Sequence, residues 1–336
     1  MPPNQPVNPS DIAVIVPVGG AAPAWSHCAQ SLARLDPAPG EIVAVIDGPN
    51  EALAEPASEI GAKVVVLEER GGPARARNRG VLAAKRDILL FLDSDVEAPV
   101  GLVAQVSELF AADNDLTAVI GSYDDVPGDP GFVSQYRNLL HHFVHQNGRE
   151  TASTFWAGCG AVRRRAFCEV EGFDERYTDP SIEDIELGSR LLRAGHTIRL
   201  VKDLQVKHLK RWSLAGMLAT DLLCRAVPWT ELMLREGQMV NDLNVKTRDR
   251  VSVMMAFLLL VALPAAWVWP PLLAVGALAT LLIVALNADL FRFYRRERGI
   301  LFAVGVLPLY WMYLLTCGLG FGLGLLRHLF GGEPRT

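Results

Sequence analysis

The chain has 336 residues, 50% of them hydrophobic, and a formal net charge of −5. That length supports one sizeable core with an appendage, and the acidic balance excludes the basic footprint that general nucleic-acid binding needs. The five cysteines (Cys28, Cys159, Cys168, Cys224, Cys317) form no CxxC pair and no zinc spacing, which fits a reducing compartment and core packing.

Residues 1–10 are rich in Pro and Asn and read as a disordered N-terminus. No basic n-region precedes the short apolar run that follows, so no signal peptide is expected and this part of the chain belongs in the cytosol. Ile12-Ala13-Val14-Ile15-Val16-Pro17-Val18 reads as a buried strand, Gly19-Gly20 as a loop, and 24–35 as a helix. A second strand, 41–46, ends at Asp47-Gly48-Pro49-Asn50, an acid followed by turn residues. A helix (51–60) and a strand (63–67) come next, and Gly71-Gly72-Pro73 opens a basic helix with Arg75, Arg77, Asn78 and Arg79.

The organising stretch is Ile88-Leu89-Leu90-Phe91-Leu92-Asp93-Ser94-Asp95. Its apolar run reads as a buried parallel strand. The two acids fall at the strand's carboxyl end, where open α/β sheets bind ligands. Alternate acids there can aim at one hard divalent cation, which bridges carboxylates to a diphosphate. The alternative is a pair of solvated loop acids. Asp113-Asn114-Asp115 has the same spacing after an amphipathic helix and reads as surface. Strands alternating with helices over short links predict a parallel, right-handed α/β sheet.

Beyond Asp95 the pattern gives a helix (99–112), a strand (117–123), a loop rich in Asp, Pro and Gly, and a long helix (132–146). His141, His142 and His145 read as a partly exposed polar face of that helix rather than a metal triplet. Phe155-Trp156-Ala157-Gly158-Cys159-Gly160-Ala161-Val162 is a strand-like run whose glycines mark close approach of a ligand or another backbone. Gly172-Phe173-Asp174, a helix (182–194) and two short strands ending near Lys207-His208 complete a domain over 11–210. Ser181-Ile182-Glu183-Asp184 fits a helix capping box.

Residues 211–250 read as a linker of two amphipathic helices broken at Pro228, suited to a membrane surface or to packing on the domain. Three apolar segments follow, 251–269, 272–291 and 300–326, each long enough to span a bilayer. Lys246, Arg248 and Arg250 precede the first, and a loop with Arg292, Arg295, Arg296 and Arg298 separates the second from the third. Both basic clusters belong on the cytoplasmic side, with Trp267 and Trp269 at the far interface. The expectation is a multi-pass membrane protein, in a bacterial inner membrane, with a membrane region of about three helices over 251–330.

Asp47, the Arg77-Asn78 pair and Asp93/Asp95 share one sheet edge. Acids for a base or ribose, cations for phosphates and a metal pair make a nucleotide-diphosphate site in combination. The chain here resembles the family 2 glycosyltransferases with the GT-A fold. The matching stretches are Val14-Ile15-Val16-Pro17, Ile46-Asp47-Gly48, Ala76-Arg77-Asn78-Arg79-Gly80, Asp93-Ser94-Asp95, Gly160-Ala161-Val162-Arg163-Arg164, Gly172-Phe173-Asp174-Glu175 and Glu183-Asp184. The resemblance implies a mixed, Rossmann-like sheet flanked by helices and metal-dependent, inverting sugar transfer from a nucleotide-sugar, a UDP- or GDP-sugar. It puts Pro17, Val18, Asp47, Arg77, Asn78, Asp93 and Ser94 at the donor. Asp93 and Asp95 take Mg²⁺ or Mn²⁺, with His208 as a further ligand. Asp184 becomes the catalytic base, and Trp156, Gly158, Gly160 and Glu183 go to the acceptor. The acceptor is a lipid or glycan delivered at a membrane. Two other classes compete: a sugar-nucleotide nucleotidyltransferase, and a non-catalytic membrane scaffold with a nucleotide-binding domain. Val18-Gly19-Gly20 and Asp47-Gly48-Pro49-Asn50 depart from the family's usual base-binding residues, and the QxxRW motif is absent.

Overall fold

The structure is a computed structural model that describes residues 7–20, 22–237 and 246–330. The chain divides into two compact units, one ending at Arg211 and the other beginning at Trp212.

In the first unit β1 (Ile12–Val18) is buried at every position, as its unbroken apolar run requires of a strand covered on both faces. It is followed by α1 (Ala22–Leu32), β2 (Glu41–Ile46), a 3-10 turn at Glu51–Leu53, α2 (Glu55–Glu59), β3 (Lys63–Val66), α3 (Gly72–Ala83), β4 (Ile88–Leu92) and β5 (Val96–Glu97). Next come α4 (Leu102–Ala112), β6 (Ala118–Tyr123), α5 (Phe132–Gln146), β7 (Cys159–Arg163), α6 (Arg164–Glu169), α7 (Glu183–Arg193) and β8 (Ile198–His208). Within the stretch read as disordered, Val7 is buried, its carbonyl accepts from Ser107 Oγ, and Pro9–Asp11 form a 3-10 turn.

Among the described residues the strands form one mixed sheet in the order β3-β2-β1-β4-β7-β6-β8-β5. The β1–β4 half is parallel, as predicted. The other half is not wholly so: β7 runs antiparallel to both β4 and β6, and β5 antiparallel to β8. Where two short strands are expected, β8 is one strand of 11 residues. A register shift opposite Ile120–Ser122 bends it, and that irregularity mimics a break in the sequence pattern. The core beneath the β4–β7 seam is aromatic: Phe91 meets Phe155, Phe167 and Phe173 at centroid distances of 6.3, 5.6 and 5.2 Å.

The expected polar face of α5 is overturned. His142 and His145 are buried, with His142 Nδ1 2.7 Å from the Tyr123 carbonyl. Among the described residues no group of three or more His, Cys, Asp or Glu is placed to hold a metal.

The second unit opens with α8 (Leu214–Ala219), a π-helical segment (Thr220–Ala226) and α9 (Val227–Glu236). The expected break at Pro228 is instead a change of helix type. Proline in the first turn of α9 cannot donate back along the ladder, and the preceding turn widens. Then follow α10 (Thr247–Ala265), α11 (Leu272–Leu286), α12 (Ala288–Arg298), α13 (Ile300–Gly305) and α14 (Leu307–Phe330). Small residues let α14 pack closely. A Cβ on Gly320 would stand 2.3 Å from Ala226, and one on Gly324 2.7 Å from Thr230.

Three spans are expected from the sequence, and the structure corrects this. Among the described residues one helix, Ile300–Phe330, is long and apolar enough to cross a membrane. A second qualifies only if α11 and α12, bent by 75°, count together. The first turn of α10 is Thr247-Arg248-Asp249-Arg250, so charge uses up its length. The segment 272–291 is interrupted at Asn287, and the basic stretch expected as a loop is the helix α12.

Candidate active site

The pairing sets β1 between β2 and β4, so the carboxyl ends of three parallel strands lie side by side. Pro17 and Val18 are buried within β1, and the Val18 carbonyl accepts from the Asp47 N–H at 2.9 Å. The Asp47 carboxylate accepts from Gly71 N–H (2.8 Å) and Gly72 N–H (3.1 Å) at the start of α3. A carboxylate there suits the helix dipole. Gly20 lies against Ser94, its Cβ position 3.7 Å from Ser94 Oγ. The loop after β1, the acid after β2 and the DxD stretch after β4 therefore share one edge. Sequence reading missed Arg70, whose exposed guanidinium donates to the Gly19 carbonyl at 3.3 Å beside Asp47. Its only sequence signal is position, a cation just before Gly71-Gly72.

Arg77 and Asn78 differ from expectation. Arg77 is buried, and its guanidinium donates to Asp93 Oδ1 (2.7 Å) and Glu183 Oε1 (2.8 Å) over the Phe173 ring, 5.3 Å from its centroid. Its Nε is buried without a partner. Both ends of the fork are taken by carboxylates, so Arg77 organises the site rather than meeting a phosphate. Asn78 pairs with the Phe173 backbone, accepting from its N–H (2.9 Å) and donating to its carbonyl (2.8 Å). It is a brace for the Gly172–Glu175 turn, not a donor contact. A side chain on Gly172, at φ +71°, would strike Asn78 Oδ1.

Asp93 keeps one oxygen clear of Arg77. Burial raises its carboxyl above the usual range against the pull of Arg77. Asp95 faces His208, with Nε2 3.6 Å from Oδ2. The β5/β8 ladder makes this contact, pairing Val96 with His208. Burial would raise the Asp95 carboxyl, but His208 and Lys210 outweigh it and hold the group low. His208 stacks on Tyr123 (centroids 4.1 Å apart), and its Nδ1 lies 2.6 Å from Asn138 Oδ1. Donation from Nδ1 to that oxygen turns Nε2 toward Asp95, where its proton favours the carboxylate and is the one that a metal ion bound at Nε2 would displace. Asn138 is a second residue that sequence reading missed. Asp95, His208 and the second oxygen of Asp93 are ligand types that a hard or borderline divalent ion takes, although the three do not stand as a ready-made metal group in this structure.

Asp184 lies half-buried at the start of α7. The capping-box reading is not what the structure has: the N-cap is Ile182, with no side-chain cap hydrogen bond. Asp184 Oδ1 accepts from Ile185 N–H in the first turn at 2.8 Å, and its Oδ2 accepts from Ala157 N–H across the site at 3.2 Å. Burial, then the adjacent Glu183 charge, push its carboxyl up to about 7, against the attraction of Arg77. A carboxylate poised there can take a proton near neutral pH.

The residues expected at the acceptor do not all face outward. Glu183 is buried, held by Arg77 and by Ser181 N–H (2.9 Å). Trp156 is 9% exposed and packs edge-on against Tyr123 and His145 at 4.8 Å from each. Gly160 sits within β7, where a Cβ would stand 2.3 Å from the Trp156 carbonyl, and one on Gly158 would lie 2.5 Å from the Trp156 ring. These glycines answer to the chain's own backbone and indole, not to a ligand. The Gly158 carbonyl also accepts from Asp93 N–H at 3.4 Å, which ties the Trp156–Gly158 loop to the DxD stretch.

Residues 13–170 match the family model described as Glycosyl transferase family 2. Residues 137–212 match the N-terminal domain of galactosyltransferase. The pre-mycofactocin glycosyltransferase of Mycobacterium tuberculosis, from strains CDC 1551 / Oshkosh and ATCC 25618 / H37Rv, is 30% identical over 230 residues, 65% of this chain and 47% of that protein. The chain thus spans about half the length of the curated relatives it matches. The solved mannosyltransferase PcManGT from Pyrobaculum calidifontis, in complex with GDP-Man and Mn²⁺, has a TM-score of 0.55 at 17% identity, covering 97% of this chain and 90% of that one. At that identity the likeness is one of fold.

Proposed function

We propose, from the premise that residues 13–170 carry a glycosyl transferase family 2 domain, that this protein moves a sugar from a nucleotide-diphosphate-sugar to a membrane-delivered acceptor with inversion. The observation that carries the reading is Asp184. It is a carboxylate raised to about 7, fixed by Ala157 N–H and joined through Glu183 and Arg77 to Asp93 at the strand ends. Its bond to Ile185 N–H in the first turn of α7 occupies one oxygen and does not account for the reach of the other to Ala157.

The donor, a UDP- or GDP-sugar, lies along the edge formed by Gly19-Gly20, Asp47 and Ser94, with Arg70 beside it. Mg²⁺ or Mn²⁺ would be held by Asp95, His208 and the free oxygen of Asp93, and when bound would offset charge on the leaving diphosphate. An acceptor hydroxyl between Asp184 and the donor gives its proton to the Asp184 carboxylate as its oxygen bonds to the anomeric carbon. The bond from that carbon to the diphosphate oxygen breaks, and the configuration inverts. Arg77 stays buried through this, paired with Glu183 beside the base.

The membrane part of the reading is supported by the second unit. Leu260, Val261, Leu281, Leu301, Leu326, Phe330 and other large apolar side chains of α10, α11, α13 and α14 are exposed there. So much bare apolar surface marks contact with lipid or a partner.

The test is a panel of nucleotide-sugars with purified full chain, Mn²⁺ and a membrane lipid extract, read by mass spectrometry. Sugar-modified lipid with release of nucleoside diphosphate is the expected result. Pyrophosphate released from a sugar phosphate and a nucleoside triphosphate would replace the reading with nucleotidyl transfer. Donor binding without turnover on any acceptor would leave a scaffold.

A further inference from the structure

We infer that the outward face of α12 is a docking surface for the anionic headgroups of a phospholipid bilayer, an inference that rests on the membrane reading above. The bend that sets α12 at 75° to α11 is built, not incidental. Asn287, 1% exposed, sits at its corner. Its Nδ2 donates to Ser252 Oγ (2.9 Å) and to the Ile283 carbonyl (2.8 Å), and its Oδ1 accepts from the Tyr310 hydroxyl (2.9 Å). Ser252 Oγ donates in turn to the Arg248 carbonyl (2.8 Å), and Arg248 pairs with Asp289 in α12 at 2.6 Å. Buried polar groups in an apolar helical unit are costly to separate, so α10, α12 and α14 are clamped at one corner.

That clamp puts α12 at the end of the α10–α11 hairpin where α10 begins. With α11 along a bilayer normal, α12 runs near the surface. Its two faces are distinct. Leu290, Phe291, Phe293 and Tyr294 are buried against the protein, while Arg292, Arg295 and Arg296 are exposed at i, i+3 and i+4 spacing. Arg296 pairs with Glu297 at 2.7 Å, so Arg292 and Arg295 carry most of the free charge. Directly after the stripe, past Gly299, come Ile300, Leu301 and Val304, exposed by 60%, 87% and 56%. Cations beside bare apolar side chains match the boundary between phosphates and acyl chains. The other end of the hairpin has Trp267 and Trp269 exposed and no Lys or Arg between residues 251 and 291. The charge is therefore one-sided, as binding to an anionic leaflet requires.

The full chain in mild detergent is offered equal phosphatidylglycerol and phosphatidylcholine, and retained lipid is counted by native mass spectrometry. Phosphatidylglycerol should be preferred by about 25-fold, since Arg292 and Arg295 at an anionic surface contribute roughly fivefold each. The variant Arg292→Gln/Arg295→Gln/Arg296→Gln should fall to parity, and the matching Lys variant should keep the preference. On the unmodified chain the preference should shrink as salt is added, which tests the idea even where the Gln variant does not fold. Equal retention of both lipids by the unmodified chain overturns the proposal, as does a preference that survives in the folded Gln variant or a headgroup displaced by equimolar inorganic phosphate. Carbonate extraction of membranes separates the two readings. A chain that is extracted refutes the membrane reading and this one with it, whereas a chain that stays embedded but ignores lipid charge refutes only the role of α12.

Discussion

Replacing Asp184 by Asn keeps the side chain's size and one oxygen, for either Ala157 N–H (now 3.2 Å from Oδ2) or Ile185 N–H (now 2.8 Å from Oδ1), and removes the proton-accepting carboxylate. As the base, Asp184 contributes 10²-fold or more, so the variant should lose at least about 2.7 kcal/mol of barrier lowering with donor affinity unchanged. The parent rate should rise about tenfold per pH unit below pH 7 and level off above it, because burial and Glu183 hold the carboxyl near 7. Stability should move the opposite way. A raised acid binds more protons folded than unfolded between roughly pH 4 and 7, so the parent loses stability as pH rises through that window. The Asn variant carries no such ionisation, and its melting temperature relative to the parent should climb over the same range. Initial transfer rates and thermal melts across that range read both effects. A parent rate that is flat with pH, or an Asn variant transferring at near the parent rate, would remove Asp184 from the mechanism. An Asn melting temperature that falls relative to the parent toward high pH would refute the electrostatic account.

Arg77→Met leaves Glu183 buried without its cation; the cost is about 3–5 kcal/mol, or very roughly 6–20 °C in melting temperature, and a shift of only a degree or two would show that the pair is not structural. Gly160→Ala drives a Cβ to 2.3 Å from the Trp156 carbonyl and should cost about 1–3 kcal/mol or more; unchanged stability would mean that this backbone yields. Asp95→Asn and His208→Gln should each abolish Mn²⁺-stimulated donor binding in calorimetry, and Asn138→Leu should weaken it by about 10- to 100-fold by releasing the imidazole; binding equally strong in all three would dismiss this metal site. Asp113→Asn, which loses a surface pair with Arg199, should cost under about 1 kcal/mol and leave donor binding intact; lost binding would show that spacing rather than position makes a DxD pair.

The parallel half of the sheet was legible because buried parallel strands are unbroken apolar runs, and 12–18, 42–46 and 88–92 are such runs, too short for helices. The meeting of Asp95 with His208 was legible only through family resemblance, since the contact depends on a two-residue strand pairing across more than a hundred positions. Direction within the sheet left no trace: nothing in Cys159–Arg163 says that it runs against its neighbours. The glycines near it misled for a related reason. An empty Cβ position signals close approach, but whether a ligand or the chain's own Trp156 fills it is a tertiary fact. The membrane segments misled through length. Apolar runs were counted across Asn287, whose side chain ties three helices at a corner.

Arg77 and Asn78 show most clearly what a motif conceals. Read as a string beside strand ends, a cation and an amide look like donor ligands. In the fold they lie on the face of α3 turned to the protein, where Ala74, Ala76 and Val81 are also buried. From there one grips Glu183 and the other the Phe173 backbone, segments about a hundred positions away. A buried guanidinium between two carboxylates costs desolvation, and removing it costs more, because both acids would remain. That asymmetry makes Arg77 hard to replace without any contact to substrate. It also makes one cation the shared neighbour of the strand-end acids, through Asp93, and of the proposed base, through Glu183. On the proposed mechanism, charge around the donor and the proton affinity of Asp184 are therefore set together, by a residue that touches neither reactant.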